Sequence, residues 1–308
     1  MEKTVSFSRA LNNGVRALRL PFTLASVFPF IAGSFLAGRG CKPVTFLLGL
    51  LAVVGTHLSA NLMNDYADSK SGVDWQDRRF FGFFGGSKLI QENVFSERSY
   101  LLGAVIFFLL GFSCIGILAY ILRSMSILLF YISIVAVAWL YSHKPLQLSY
   151  RRLGEAAIFL LFGPVPVMGG YFIQTKIFPT LEGFCVSLPF AFLTTAILFA
   201  NEVPDFPEDA KAGKLTWVSI VGPRRAYVLY AFLVFCALVS VAGGVMLGYL
   251  HILALGALIF VVPLAKATCV LKAGFNDKMR LIESSRLTIL SQACVGIVVI
   301  IGAIRWIR

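Results

Sequence analysis

Six of the seven aspartates in this chain lie in two short stretches, and their spacing is typical of a site that binds a cation. The first stretch contains Asp65, Asp68, Asp74 and Asp77, and the second contains Asp205 and Asp209. Asn61, Asn64, Asp65 and Asp68 fall at positions i, i+3, i+4 and i+7, which predicts one face of a helix. Asn201, Asp205 and Asp209 are each four residues apart and predict a second such face. Pro204 and Pro207 are expected to distort that second helix.

Carboxylate and amide oxygens are the ligands that magnesium prefers, and magnesium commonly completes its coordination with substrate phosphates. Two carboxylate faces that met at one place would hold metal ions that bridge a diphosphate. The alternative is that both stretches are solvated acidic loops. We favour the metal-binding interpretation because both stretches begin with Asn, continue with Asp and start at the end of a long apolar block.

Basic residues flank both stretches and predict contacts with phosphate oxygens, which would stabilise a leaving diphosphate. They are Lys88, Lys144, Arg151, Arg152, Lys211 and Lys214. Lys214 is the strongest candidate because it follows Asp209 closely. Lys88 comes directly after Gly85-Gly86-Ser87, a flexible segment able to close over a phosphate. The alternative for each residue is the general enrichment of Lys and Arg in cytoplasmic loops.

The elements that must position these residues are transmembrane helices. The chain has 308 residues, of which 58% are hydrophobic and 14% charged, too apolar for a soluble domain. Nine apolar blocks approach the roughly 20 residues that cross a bilayer. They are Leu20–Leu36, Val44–Met63, Tyr100–Leu122, Met125–Tyr141, Gly154–Ile173, Phe184–Ala200, Ala226–Leu247, Leu250–Ala265 and Leu287–Ile304. Because lipid cannot satisfy free backbone polar groups, we predict an all-α, polytopic membrane bundle of nine transmembrane helices that forms one domain over residues 1–308.

The distribution of positive charge predicts how this bundle is oriented. If the N-terminus is cytoplasmic, 21 of the 27 lysines and arginines fall on the cytoplasmic side. The other six are Arg39, Lys42, Arg123, Lys176, Arg305 and Arg308. We therefore predict an integral protein of the cell membrane with its N-terminus and the active-site loops, residues 64–98 and 202–224, in the cytoplasm and its C-terminus outside. This orientation accounts for the net charge of +12 without a nucleic-acid partner.

The remaining candidate groups point to no other chemistry. The six cysteines form no CxxC pair, which argues against a zinc site and a disulfide framework. No metal-ligand spacing links His57 to His251, so both are expected to be structural. The apolar run that follows the basic segment Met1–Arg19 is expected to form a first spanning helix rather than a cleaved signal, since no clear cleavage site follows it.

The two aspartate-rich segments resemble the paired motifs of the UbiA-type intramembrane prenyltransferases. Asn61–Asp74 reads NLMNDYADSKSGVD and is similar to the first motif, and Asn201–Lys214 reads NEVPDFPEDAKAGK and is similar to the second. The segments Arg19–Leu24 and Gly85–Gln91 also resemble family segments. Gly72-Val-Asp74, the segment from Leu153 to Tyr171 and the lack of an Arg-Pro-Leu segment favour the branch that prenylates 1,4-dihydroxy-2-naphthoate in menaquinone synthesis.

The resemblance implies a bundle around a central cavity that opens to lipid for the prenyl tail and is capped by the cytoplasmic loops. It implies transfer of a polyprenyl group from a polyprenyl diphosphate to an aromatic acceptor, with Mg²⁺ as the cofactor. Carried over position by position, Asn64, Asp65, Asp68, Asp205 and Asp209 would bind the magnesium diphosphate. Asn61, Asp74, Lys88, Lys144, Asn201 and Lys214 would bind or assist the substrate. An acceptor carboxylate would require a cation, for which Arg19, Arg151 and Arg152 are the candidates.

Other functions remain open at this point. A sister prenyltransferase would use 4-hydroxybenzoate, a chlorophyll precursor, homogentisate or a glycerol phosphate. A CDP-alcohol phosphatidyltransferase also uses aspartates and magnesium, but its Asp-Gly and Ala-Arg pattern does not occur here. A cation-coupled transporter would place its acidic residues near the bilayer midplane, whereas these lie at predicted helix ends.

Overall fold

A computed structural model describes residues 2–304, and describes the side chains of residues 9–38 and 40–304. Twelve α-helices form in this part of the chain: α1 (Glu2–Leu18), α2 (Leu24–Leu36), α3 (Pro43–Ser71), α4 (Glu97–Leu122), α5 (Ser126–Leu140), α6 (Gly154–Phe162), α7 (Pro164–Thr175), α8 (Leu181–Lys211), α9 (Trp217–Val221), α10 (Ala226–Met246), α11 (Val261–Gly274) and α12 (Lys278–Ala303). The only β-type pairing among the described residues is an isolated bridge between Arg151 and Leu215. The prediction of an all-helical protein is confirmed.

Every predicted apolar block lies in helix, but fewer than nine segments qualify as spans. Within residues 2–304, seven helical segments are long and apolar enough to cross a membrane, or eight when Arg9–Leu18 and Leu20–Leu36, which meet at a 40° bend, are counted as one span. Three of the seven segments consist of two consecutive helical pieces. In one of them, α6 and α7 meet at Gly163. The fourth block corresponds to α5, which has 15 residues and is shorter than the other candidates. Arg305 and Arg308, used above for the orientation, lie outside the described residues.

Helix α8 is the central element of the bundle. In its most apolar window 72% of the residues are buried, against 22% in α4, which faces outward. It packs against α2, α6, α7, α10 and α12. The helix runs without interruption from Leu181 to Lys211 although Pro189, Pro204 and Pro207 lie inside it. The distortion expected at Pro204 and Pro207 therefore does not end the helix, and Asn201, Asp205 and Asp209 stay on one element.

Helices α2 and α7 approach each other so closely that only glycine fits at the contact. A Cβ atom added to Gly33 would lie 1.9 Å from the carbonyl oxygen of Val167, and one added to Gly170 would lie 2.4 Å from the carbonyl oxygen of Phe30. Small residues at such crossings allow membrane helices to gain van der Waals contact.

The connections that follow the two aspartate motifs meet on one face of the bundle. The α3–α4 connection contacts α8 through the hydrogen bond from Asn201 Nδ2 to the Phe83 carbonyl, at 3.0 Å. The α5–α6 connection contacts α3 through the hydrogen bond from Asn64 to Ser142, and it contacts the α8–α9 connection at the Arg151–Leu215 bridge. Lys278, at the start of α12, reaches the same face and bonds to Asp77. These three connections and the start of α12 form the roof of the candidate site.

Candidate active site

The two aspartate motifs occupy the last turns of α3 and α8. Helix α3 continues past its apolar part to Ser71 and ends at Gly72, whose φ of 85° gives the left-handed conformation that glycine adopts readily at helix ends. Its Asn and Asp residues recur with the helical period, and Asn61, Asn64 and Asp68 line one cavity together with Asp205 and Asp209 of α8.

A cavity of about 230 Å³ lies between these helix ends. Nine of the predicted site residues line it: Arg19, Asn61, Asn64, Asp68, Asp74, Lys88, Asp205, Asp209 and Lys214. Asp65 and Asn201 lie directly beside it and are bonded to residues of its wall or roof. Lys144 and Arg151 are exposed and do not line it, and Arg151 donates to the Pro145 carbonyl at 3.1 Å.

One segment of the α3–α4 connection, residues 83–88, bonds to both motifs. The backbone N–H of Gly85 donates to Asp205 Oδ2 at 3.1 Å, and the backbone N–H of Ser87 donates to Asp65 Oδ2 at 3.2 Å. Gly85 and Gly86 have φ angles of 76° and 80°, which let the backbone turn between these two bonds. We call residues 83–88 the bridging segment, because it joins the ends of α3 and α8 over the cavity.

Buried ion pairs surround the cavity. Lys88 Nζ lies 2.8 Å from Asp74 Oδ1, and both side chains are at most 8% exposed. Burial raises the pKa of Asp74, and the ammonium of Lys88 opposes that rise. Lys214 Nζ lies 3.3 Å from Asp209 Oδ1. Burial disfavours the charge of Lys214, but the carboxylates of Asp209 and Asp68 outweigh it and raise its pKa, so Lys214 is a cation in the site.

Arg19 and Asp65 form a further pair at the start of the bundle. Arg19 stands at the 40° bend before α2 with a left-handed φ of 49°, and its guanidinium donates to Asp65 Oδ1. Asp65 is 2% exposed and also accepts the Ser87 N–H. Both oxygens of Asp65 are thus engaged, one by a cation and one by the bridging segment.

The structure adds residues that the spacing analysis did not select. Lys278 Nζ lies 3.0 Å from Asp77 Oδ2 and 2.9 Å from Glu208 Oε2, and all three residues line the cavity. The hydrogen bond from Arg79 to Asp77 lowers the pKa of that carboxyl. Tyr141 also lines the cavity. Lys278 is 201 residues from Asp77 in sequence, so no local pattern could have indicated the pair.

The donor set fits a magnesium ion that is shared with a phosphate. Asp68 Oδ1 and Asp209 Oδ2 are buried and have no hydrogen-bond partner. Buried carboxylate oxygens normally have one, so these two are ready to take a ligand. No three His, Cys, Asp or Glu side chains within the described residues are grouped closely enough to hold a metal ion by themselves. Magnesium sites with one or two carboxylates and substrate phosphate oxygens have this composition.

A larger apolar cavity of about 670 Å³ adjoins the first. The two share Ala60, Ala138, Leu161 and Phe162 in their walls. Rings of Phe30, Phe130, Phe172 and Phe178 line the larger cavity, together with aliphatic residues of α4 and α5. A polar site therefore opens onto an apolar space within the helices.

The segment that carries Lys214, residues 212–217, is tied to the start of α6; we call it the Lys214 segment. The Arg152 N–H donates to the Leu215 carbonyl at 2.8 Å, and the Trp217 backbone N–H donates to Glu155 Oε1. Glu155 is 1% exposed, and Glu202 of α8, 5% exposed, has a buried Oε2 without a hydrogen-bond partner. The sequence analysis identified neither glutamate.

Together the helical bundle and the loop-covered aspartate site define a membrane-embedded protein of the prenyltransferase class. The sequence profile of the UbiA prenyltransferase family matches residues 26–280, and the chain belongs to that family.

Two relatives are similar to this chain over about three quarters of its length. The chain is 31% identical over 229 residues to UbiA prenyltransferase domain-containing protein 1 of Mus musculus, an alignment that covers 72% of this chain but only 65% of that protein. It is 30% identical over 233 residues to 1,4-dihydroxy-2-naphthoate octaprenyltransferase of Mycobacterium tuberculosis, covering 75% of this chain and 74% of that protein.

Solved structures share the fold. A UbiA homolog from Archaeoglobus fulgidus bound to GPP and Mg²⁺ has a TM-score of 0.58 and 15% identity, with 94% of this chain and 99% of that chain covered. The apo structure of a UbiA homolog from Aeropyrum pernix K1 has a TM-score of 0.67 and 17% identity, with 93% and 98% covered. The predicted family membership is confirmed.

Proposed function

We propose that this protein transfers a polyprenyl group from an allylic diphosphate to an aromatic acceptor, and that the acceptor is 1,4-dihydroxy-2-naphthoate in menaquinone synthesis. The observation that carries the proposal is the junction of the two cavities. A diphosphate requires a metal and cations, whereas its prenyl tail requires an apolar space, and the junction offers both side by side. The Mycobacterium tuberculosis relative, named as a naphthoate octaprenyltransferase, supports the choice of acceptor.

In this proposal Asn64, Asp65, Asp68, Asp205 and Asp209 hold magnesium together with the diphosphate. Bound magnesium would neutralise negative charge on the diphosphate and so make it a better leaving group. Asp68 and Asp209 offer unpartnered oxygens, whereas Asp65 would have to share its oxygens with Arg19 and Ser87.

The side chains of this protein supply the remaining steps. Lys214 and Lys88 line the cavity and would bind diphosphate oxygens as the allylic C–O bond breaks and its electron pair leaves with the diphosphate. The apolar cavity excludes water from the allyl cation, and its aromatic rings stabilise positive charge through their faces. Arg19 is the better placed partner for an acceptor carboxylate, because it lines the polar cavity whereas Arg151 does not. The predicted roles of Lys144 and Arg151 would require the α5–α6 connection to move toward the cavity.

Product analysis with a choice of acceptors tests this function. We expect the purified protein, given Mg²⁺ and a short allylic diphosphate, to prenylate dihydroxynaphthoate with loss of its carboxyl group as carbon dioxide. Mass spectrometry would identify the product, and 4-hydroxybenzoate would serve as the competing acceptor. Prenylation of 4-hydroxybenzoate alone would place the protein in the sister branch, and no aromatic product at all would refute the proposal.

Site-directed labelling tests the proposed arrangement of nine spans around a central cavity, with a cytoplasmic N-terminus. Arg78 and Lys211 are exposed on the roof of the site, so cysteines there are expected to react with a membrane-impermeant maleimide only from the cytoplasmic side. Met125, 70% exposed between α4 and α5, is expected to become accessible only from the outside. The native cysteines would be replaced first. Labelling of Arg78→Cys from outside would show that the orientation is opposite to the proposed one.

The contacts of the Lys214 segment predict a positioning role for Glu155. Glu155→Ala leaves the Trp217 backbone N–H without its acceptor, so the segment that carries Lys214 is held less firmly. We expect the KM for the prenyl diphosphate to rise about 10-fold, as when a supporting contact of a ligand is lost. Glu155→Gln, which keeps an accepting oxygen, should restore most of the affinity. In a Lys214→Met background Glu155→Ala should add little, and an equal effect in both backgrounds would argue for a purely structural role.

A further inference from the structure

His57 lies in α3, in the wall of the apolar cavity and one helical turn before Asn61. One turn of helix is about 5.4 Å, so the imidazole stands just below the polar cavity, near the wall that the two cavities share. Its side chain is 6% exposed, and its ring packs edge-to-face against Phe162, at 5.5 Å between centroids. Phe162 lines both cavities. His57 is therefore placed where the polar and apolar parts of a prenyl diphosphate meet.

The hydrogen bonds of Ser26 determine which nitrogen of His57 carries the proton. Ser26 Oγ donates its one hydrogen to the Thr23 carbonyl, at 3.0 Å. The tautomer with the proton on Nδ1 is the one in which this bond and the 2.9 Å contact between Ser26 Oγ and His57 Nδ1 are both satisfied, with Nδ1–H as the donor. A neutral imidazole with its proton on Nδ1 carries a lone pair on Nε2.

His57 Nε2 is buried and has no hydrogen-bond partner. The other polar side chains lining the apolar cavity in the described part of the chain have partners: Ser26, Thr56, Tyr131, Ser126 and Ser133 are all hydrogen-bonded. A buried acceptor without a donor costs free energy, and such groups in native proteins call for an explanation. A ligand with an O–H group that displaces the Phe162 ring would supply the missing donor.

We propose that His57 Nε2 accepts a hydrogen bond from a ring hydroxyl of the acceptor substrate, and that this bond selects acceptors with a free hydroxyl at that position. The inference rests on the proposed function and adds the chemical class that the acceptor must have. The bond holds the ring beside the allylic carbon. It also increases electron density on the hydroxyl oxygen and hence on the ring carbon that attacks. Ser26 is a positioning residue, since it keeps the proton on Nδ1.

The test compares a hydroxyl acceptor with its methyl ether in two forms of the full-length protein. Dihydroxynaphthoate and its two mono-O-methyl ethers would be assayed with saturating short allylic diphosphate and Mg²⁺. In the unmodified protein we expect kcat/KM to be on the order of 100-fold lower for one of the ethers, because the site is then left with an unpaired polar group. In His57→Leu that ratio should fall to within a few-fold of one, while the KM for the diphosphate stays unchanged.

Two further variants keep the result interpretable. Ser26→Ala should reduce the hydroxyl-to-ether ratio without removing the imidazole, and so gives a milder second measurement. Gln292→Leu is the matched control, because Gln292 is also buried with an unpartnered nitrogen but lines neither cavity. Its ratio should equal that of the unmodified protein. If His57→Leu and Ser26→Ala both leave the hydroxyl-to-ether ratio unchanged while aromatic product still forms, the role of His57 is refuted and the proposed function stands. If the unmodified protein prenylates no aromatic acceptor, the proposed function itself is refuted.

Discussion

Replacing Asp205 by alanine is expected to lower turnover by about 1000-fold, the upper range for loss of one group that stabilises a transition state electrostatically. Asp205 lines the polar cavity, and its Oδ2 accepts the Gly85 N–H at 3.1 Å. The change removes a proposed magnesium ligand and also releases one end of the bridging segment. Steady-state rates at saturating Mg²⁺ and diphosphate measure the effect.

Asp65→Ala should have a comparable effect for a different reason. It leaves Arg19 without its carboxylate partner and frees the Ser87 end of the bridging segment. Removing one partner of a buried ion pair strands the other charge, so some loss of stability is expected as well. Circular dichroism and the melting temperature would separate misfolding from loss of catalysis.

Glu283→Ala is the matched control for both variants. Glu283 forms an exposed pair with Lys266 at 2.7 Å, and exposed pairs contribute little to stability. Its activity should stay within about twofold of the unmodified protein, an estimate from the small energies of surface pairs. Full activity of Asp205→Ala, or of the unmodified protein in excess chelator, would refute the metal-binding role of the motifs.

The two aspartate faces could be predicted from sequence because helical spacing is a local property. Asn61 and Asp68 lie within seven residues of each other, and α3 keeps the helical period across that stretch. That α3 and α8 bring their faces to one cavity could not be derived from periodicity, since 140 residues separate Asn61 from Asn201. The family resemblance supplied that expectation.

The sequence analysis did not predict the contacts that depend on tertiary packing. Lys278 was counted only as a cytoplasmic charge, yet it bridges Asp77 and Glu208. Glu155 and Glu202 are single acids in apolar helices, and no spacing relates them. Hydropathy correctly predicted Gly154–Ile173 as one span, but it did not predict the break at Gly163, where φ −119° and ψ −91° separate α6 from α7. A backbone break in an apolar segment leaves its mean hydropathy unchanged.

Within the bridging segment, Gly86 is the position where a side chain is least tolerated. Its φ of 80° is one that alanine adopts at a cost of about 1–2 kcal/mol. A Cβ atom there would lie 2.9 Å from Asp74 Oδ2 and 3.1 Å from Asp74 Oδ1. Because Asp74 is held by Lys88, the clash must displace either the buried ion pair or the bridging segment.

Gly86→Ala is therefore expected to lower kcat/KM for the prenyl diphosphate by about 100-fold, the loss that a displacement of about 1 Å can cause. Gly82→Ala is the control that separates strain from steric clash. Gly82 has a φ of 87°, similar to that of Gly86, but its Cβ would meet no heavy atom within 4 Å. We expect Gly82→Ala to lower the melting temperature because of backbone strain, while turnover stays almost unchanged. Equal losses of activity in the two variants would mean that backbone strain alone governs this loop, and that the contact between Gly86 and Asp74 has no part in shaping the site.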